Sequence, residues 1–114
     1  MTELEVEVTL TDGQVRREAI GTDYEFESRE DIERVIIPEG VTTIHRGAFS
    51  RCRNLVSASL PSSLTTIKQF AFEGCTSLAS IAVPEGVKKI DFRTFADCTA
   101  LATQQFKAKS QELG

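Results

Sequence analysis

The chain has no tryptophan, one tyrosine, one histidine and one methionine. A lone histidine leaves no His pair for a metal or a proton relay, and the shortage of Trp and Tyr removes common anchors of binding hot spots. No Gly-rich phosphate loop and no metal-ligand spacing occurs. No nucleophile motif surrounds His45, and the closeness of Cys52 in sequence does not by itself bring the two together in space. No apolar run approaches the ~20 residues that cross a bilayer as a helix. The start, Met1-Thr2-Glu3-Leu4-Glu5, lacks a basic region followed by an apolar stretch. These absences lead us to expect a non-enzymatic chain with no cofactor, no metal and no membrane span. It is cytoplasmic if this is the full-length protein.

The totals describe one soluble domain of 114 residues, 40% hydrophobic and 26% charged. The net charge of −4 weighs against nucleic acid as a partner. Its distribution is uneven. Residues 1–37 carry eleven acids and four bases, and residues 38–114 six acids and nine bases. Opposite signs at two ends can steer a charged partner or favour head-to-tail association, although acids also simply keep a terminal cap soluble.

Prolines are few, and their positions are informative. Pro38, Pro61 and Pro84 lie 23 residues apart. The same step relates Ile44, Ile67 and Ile90; Phe49, Phe72 and Phe95; Cys52, Cys75 and Cys98; and Leu55, Leu78 and Leu101. A fixed period of this size marks a solenoid, in which each unit buries its apolar side only against its neighbours. The expected fold is an α/β-type repeat solenoid of three 23-residue units, mainly short β-strands with short helical or 3-10 turns. In each unit a strand such as Ile81-Ala82-Val83 ends at a proline, which donates nothing to a ladder. The run from Phe92 to Cys98 has helical or 3-10 spacing. The four recurring apolar sets form the core ladders, at ~1.5–3 kcal/mol for each fully buried large side chain.

The three cysteines share the repeat spacing. Stacked strands lie ~4.8 Å apart, which puts equivalent Cys residues within nominal disulfide reach. Each nevertheless follows a buried-type Phe by three residues and precedes a Leu by three. Packing as small hydrophobes is the expectation.

Ahead of the repeats, Leu4, Val6, Val8 and Leu10 alternate with polar residues, the period of a half-buried strand. Thr11-Asp12-Gly13-Gln14 supplies a turn, and Val15 to Ile20 returns antiparallel as a β-hairpin cap. Phe26 stands 23 residues before Phe49, so Asp23 to Glu33 reads as a degenerate half-repeat with a short helical turn. The expected organisation is a cap over 1–31, the repeats over 32–106 with a last strand from Thr103 to Phe106, and a flexible tail over 107–114.

The unit read from Leu78 to Leu101, L-x-x-I-x-V-P-x-x-V-x-x-I-x-x-x-x-F-x-x-C-x-x-L, resembles the BspA-type leucine-rich repeat. Thr94-Phe95 stands where the first two units have Ala48-Phe49 and Ala71-Phe72. His45, Lys68 and Asp91 stand where that family commonly has glycine. The resemblance implies a binding scaffold, since similar repeats are frequent in bacterial and protist proteins that meet host proteins or other cells.

Two surfaces are candidates for a protein partner. Residues flanking the inward strand pair alternate outward: Arg34 and Ile36, Ser57 and Ser59, Ser80 and Ala82, Thr103 and Gln105. This row is small and mostly polar, suited to an extended segment or idle. The turns carry a basic stripe with a patch of Arg46, Phe70, Lys88, Lys89, Phe92 and Arg93. There, Phe70 and Phe92 are either contact residues or folded over a neighbouring unit. The leading expectation is a protein-protein interaction module. The alternatives are a self-assembling unit, homo-oligomeric through its C-terminal edge, and a fragment of a longer adhesin-like surface protein.

Overall fold

The computed structural model describes residues 4–91 and 93–101. Thr103, Gln105, the last strand to Phe106, the tail and Phe92 lie outside the described residues.

The alternation of Val6, Val8 and Leu10 with polar residues forms β1 (Glu5–Leu10), whose three apolar side chains are buried. The chain turns at Asp12, whose Oδ1 accepts from the Gln14 amide at 2.9 Å, and returns as β2 (Val15–Ala19), antiparallel to β1. β1 also pairs antiparallel with β3 (Ile32–Ile36), with a register shift between Thr9 and Leu10. The hairpin therefore lies with its first strand inside, and β2 is the outer edge. That edge carries Arg16, Arg17 and Glu18, charges that discourage addition of a further strand.

From β3 onward every neighbour is parallel. β3 pairs with β5 (Ser57–Ser59), and β5 with β7 (Ser80–Ile81), in registers that join residues 23 apart, such as Arg34↔Ser57↔Ser80. The sheet order is β2-β1-β3-β5-β7. A second, two-stranded parallel sheet joins β4 (Thr43–Ile44) to β6 (Thr66–Ile67), and a bridge from Ile67 to Ile90 extends it. The chain passes between the two sheets through tight turns. In these, Pro38, Pro61 and Pro84 accept from the amides of Val41, Leu64 and Val87 at 3.3, 3.1 and 3.1 Å.

The return from the second sheet corrects the expected helical turns. No helix forms among the described residues, either here or in the half-repeat. The reason lies in how alternate amides are used. Gly47, Phe49 and Arg51 donate to the carbonyls of Gln69, Ala71 and Glu73 in the next unit, at 3.0, 2.8 and 2.6 Å. Ala48, Ser50 and Cys52 donate instead to the carbonyl three residues back. A helix needs successive amides to bond within the segment, and here every second one bonds between units. Tyr24, Phe26 and Ser28 repeat the pattern toward Arg46, Ala48 and Ser50, so the half-repeat is a full participant in this ladder.

This backbone places two columns in the left-handed region. Tyr24, Gly47 and Phe70 have φ of 58°, 60° and 64°, and Ser28, Arg51, Gly74 and Asp97 have φ of 60°, 61°, 75° and 62°. Such angles cost a non-glycine residue roughly 1 kcal/mol or more, which the shared hydrogen bonding between units must offset.

The core fills the space between the sheets. Phe26, Phe49, Phe72 and Phe95 stack with centroid separations of 5.1, 5.4 and 5.6 Å and planes within 8° of parallel. Ile44, Ile67, Leu55 and Leu78 are buried beside them. Thr94 takes the place of Ala48 and Ala71, and its buried hydroxyl donates to the Lys68 carbonyl at 3.5 Å. Three expected core residues, Ile90, Cys98 and Leu101, are only half-buried. Each inward side chain is covered by its equivalents on both sides, and these three have a described neighbour on one side only.

Candidate interaction site

The outer face of the five-stranded sheet follows from the registers. One row runs Val15, Thr9, Arg34, Ser57, Ser80, and the next runs Arg17, Glu7, Ile36, Ser59. Ala82, just beyond β7, is exposed as well. Because side chains alternate across a strand, burying Val6, Val8, Val35 and Ala58 commits these partners to the outside. Val15 and Ile36 are 57% and 49% exposed, apolar positions on a face otherwise of small or charged residues. Arg34 Nη1 donates to Ser57 Oγ at 3.4 Å, and Arg17 faces Glu7 across the hairpin. The contributions of Glu7, Thr9, Val15 and Arg17 were not foreseen. Their alternation was visible, but not the insertion of β1 between β2 and β3.

The second sheet has its own outer face. Flanking the inward Ile44, Ile67 and Ile90 are Thr43, Thr66 and Lys89 on one side and His45, Lys68 and Asp91 on the other. Arg46, Thr66, Ile67, Lys68, Gln69, Lys89 and Asp91 line a groove of ≈ 450 Å³ over this face. Asp91 is the only acid among the described residues that line it, and that carboxylate is hydrogen-bonded. Asp91 Oδ1 accepts from the Arg93 amide at 2.8 Å and Oδ2 from Gln69 Nε2 at 3.0 Å, bonds that hold its pKa below the usual carboxylate value. Arg46, Lys68 and Lys89 make no ion pair among the described residues. Thr66, Ile67, Lys68, Gln69 and Asp91 belong to this groove and were absent from the expected patch. For Thr66, Lys68 and Asp91 the available signal was their place beside the inward isoleucines.

The rest of the patch divides. Phe70 is half-buried, and the Arg93 guanidinium lies over its ring, 5.4 Å from the centroid. Lys88 is exposed and does not line the groove. His45 stands at the other end, its Nδ1 3.8 Å from Asp23 Oδ1, a pair that is ionic only when the ring is protonated.

The thiols are remote from both faces. Cys52, Cys75 and Cys98 are free, and each Sγ donates to the carbonyl of a phenylalanine 26 residues earlier: Phe26, Phe49 and Phe72, at 3.1, 3.1 and 3.0 Å. Burial pushes Cys52 up to about 12 and Cys98 up to about 11, and raises Cys75 as well. A neutral, hydrogen-bonded thiol is neither nucleophile nor metal ligand. No group of three or more His, Cys, Asp or Glu among the described residues is placed to hold a metal ion. Nor is any described helix long and apolar enough to cross a membrane.

Parallel strands added every 23 residues, with Phe, Cys and Leu ladders behind them, define a leucine-rich-repeat architecture. The family model for the BspA type leucine rich repeat region (6 copies) matches residues 19–114. The chain belongs to this family. No curated protein and no solved structure gives a significant match.

Proposed function

We propose that the chain is a non-enzymatic protein-protein interaction module, a solenoid that presents the outer face of its five-stranded sheet to a protein partner. The observation that carries this reading is the continuous register from Val15 through Ser80. It lines up outward side chains of five strands, with Ile36 on the central strand in the adjoining row. Serines on β5 and β7 let a partner's backbone come close, Val15 and Ile36 supply apolar area, and Arg34 and Arg17 supply charge.

Affinity capture from extract of the source cells, with mass spectrometry, tests it. The control is the double variant Ser57→Arg, Ser59→Glu. Both positions lie outside the core, so the melting temperature should stay within about 2–4 °C of the parent. Prey lost with the folded control supports the sheet face. Prey retained by it refutes that face.

A second reading is self-assembly through the C-terminal edge. It is favoured by the partial exposure of Ile90, Cys98 and Leu101, whose equivalents Ile67, Cys75 and Leu78 are buried. Light scattering against concentration separates the two, because this reading requires the mass to rise and the first does not.

A further inference from the structure

We propose that the groove over β4 and β6 is a second recognition site, separate from the sheet face, that takes an extended acidic segment of a partner protein. Three cations, Arg46, Lys68 and Lys89, converge on one groove from successive units and make no ion pair among the described residues. The one acid among the described residues of its wall, Asp91, remains a carboxylate, bonded to the Arg93 amide and Gln69 and 3.7 Å from the Arg93 guanidinium. Three cations against one acid leave a net positive potential, which a concave wall focuses.

The geometry favours carboxylates over a dense polyanion. The cations come from different repeats and from non-equivalent positions within them, so they do not form a tight column, and Asp91 adds a repulsion that grows with the charge density of the ligand. In an extended peptide, every second side chain faces one way at a spacing of roughly 6.6 Å, which suits acids reaching separate cations. Thr66 and Gln69 add neutral hydrogen-bonding groups for the backbone. Several acids of this chain are already engaged. Glu25 Oε1 accepts from the amides of Gly21 and Thr22, Glu18 and Asp31 hold Arg29, and Asp23 faces His45. We assign the groove to a segment of another protein.

Fluorescence anisotropy of the full chain, with a labelled peptide alternating Glu and Ser as probe, tests the site. Lys68→Glu and Arg46→Glu should each weaken binding by about tenfold or more, and raising salt from about 50 to about 200 mM should weaken it several-fold. Arg53→Glu, an exposed base outside the groove, should leave binding within about twofold. Circular dichroism of each variant confirms folding. No binding by the parent, or equal loss in Arg53→Glu, overturns the proposal. So does displacement of the peptide by a lower concentration of single-stranded oligonucleotide, which would indicate a nucleic-acid groove. A mass that rises with concentration in the parent but not in Lys68→Glu would indicate a second copy as occupant and overturn it equally.

Discussion

The ring of Phe26 stacks on that of Phe49 with centroids 5.1 Å apart and planes at 6°. The acid-rich segment around Phe26 is thereby the first rung of the same aromatic column that runs through Phe72 to Phe95. It forms the junction between hairpin and repeats, and the energetics of the stack follow from that continuity.

Phe49 is wholly buried between the rings of Phe26 and Phe72. Phe49→Ala removes both stacking contacts and leaves a cavity, for a loss of about 3–5 kcal/mol. Val15→Ala, at an exposed position outside the column, should cost well under about 1 kcal/mol. Urea titrations followed by circular dichroism give the order, and equal midpoints for the two variants would contradict the column.

Gly47 combines a φ of +60° with the ring of Tyr24 lying directly over its α-carbon, where a methyl group would clash with the Cδ1, Cε1 and Cζ atoms. Gly47→Ala is therefore expected to cost about 1–3 kcal/mol, part from backbone strain and part from the displaced ring. In a Tyr24→Ala background only the strain remains, so the same substitution should cost less. A double-mutant cycle by urea denaturation reads the coupling, and strictly additive losses would show that ring and glycine do not meet.

The cysteine ladder predicts inert thiols. Cys98 is the least buried of the three and should be the first to react with iodoacetamide at pH 8, with Cys52 and Cys75 modified only on unfolding. The pH dependence has a definite sign. Folded pKa values above the ordinary 9.0 mean that the protonated thiol is favoured in the native state. The associated stability is complete below pH 9.0 and is lost as pH rises through about 11 for Cys98 and about 12 for Cys52. Denaturation midpoints at pH 8 and pH 10 should differ in that direction.

Arg29 ties the cap to the first rung. Its guanidinium donates to both oxygens of Glu18 at 3.1 Å and to Asp31 at 2.8 and 3.1 Å, and lies 5.8 Å from the Phe26 ring centroid. Arg29→Ala should lower stability by about 1–2 kcal/mol and raise amide exchange in β2 more than in β5. The bond from Arg29 holds the Asp31 pKa below 3.8, so its share is present above that pH and lost as pH falls through the lower, folded value. Uniform exchange changes in β2 and β5 would argue against a local clamp.

The period of 23 was legible because inward positions tolerate few residue types, and Phe, Cys and Leu recur at each turn of the chain. Strand parity was legible for the same reason, which is how Ser57, Ser59 and Ser80 could be assigned outward. The return segments were not. Their apolar spacing, Phe95 to Cys98 for example, is shared by a helix and by a chain whose alternate amides bond to the next unit, and only the neighbouring unit decides between them. The left-handed columns were hidden because a single glycine marks each, Gly47 in one and Gly74 in the other, while Arg51, Phe70 and Asp97 adopt the same angles. The groove escaped because its lining combines residues of three units, and the position of Asp91 in it is fixed by bonds from Gln69 and Arg93.

Hydroxyl-radical footprinting of the chain, alone and saturated with its captured partner, tests the sheet face most directly. Val15, Ile36 and Tyr24 are all large and exposed, but only the first two lie on that face. We predict that labelling of Val15 and Ile36 falls on partner binding while Tyr24 is unchanged. Undiminished labelling of Ile36 in the saturated complex would contradict recognition through the sheet.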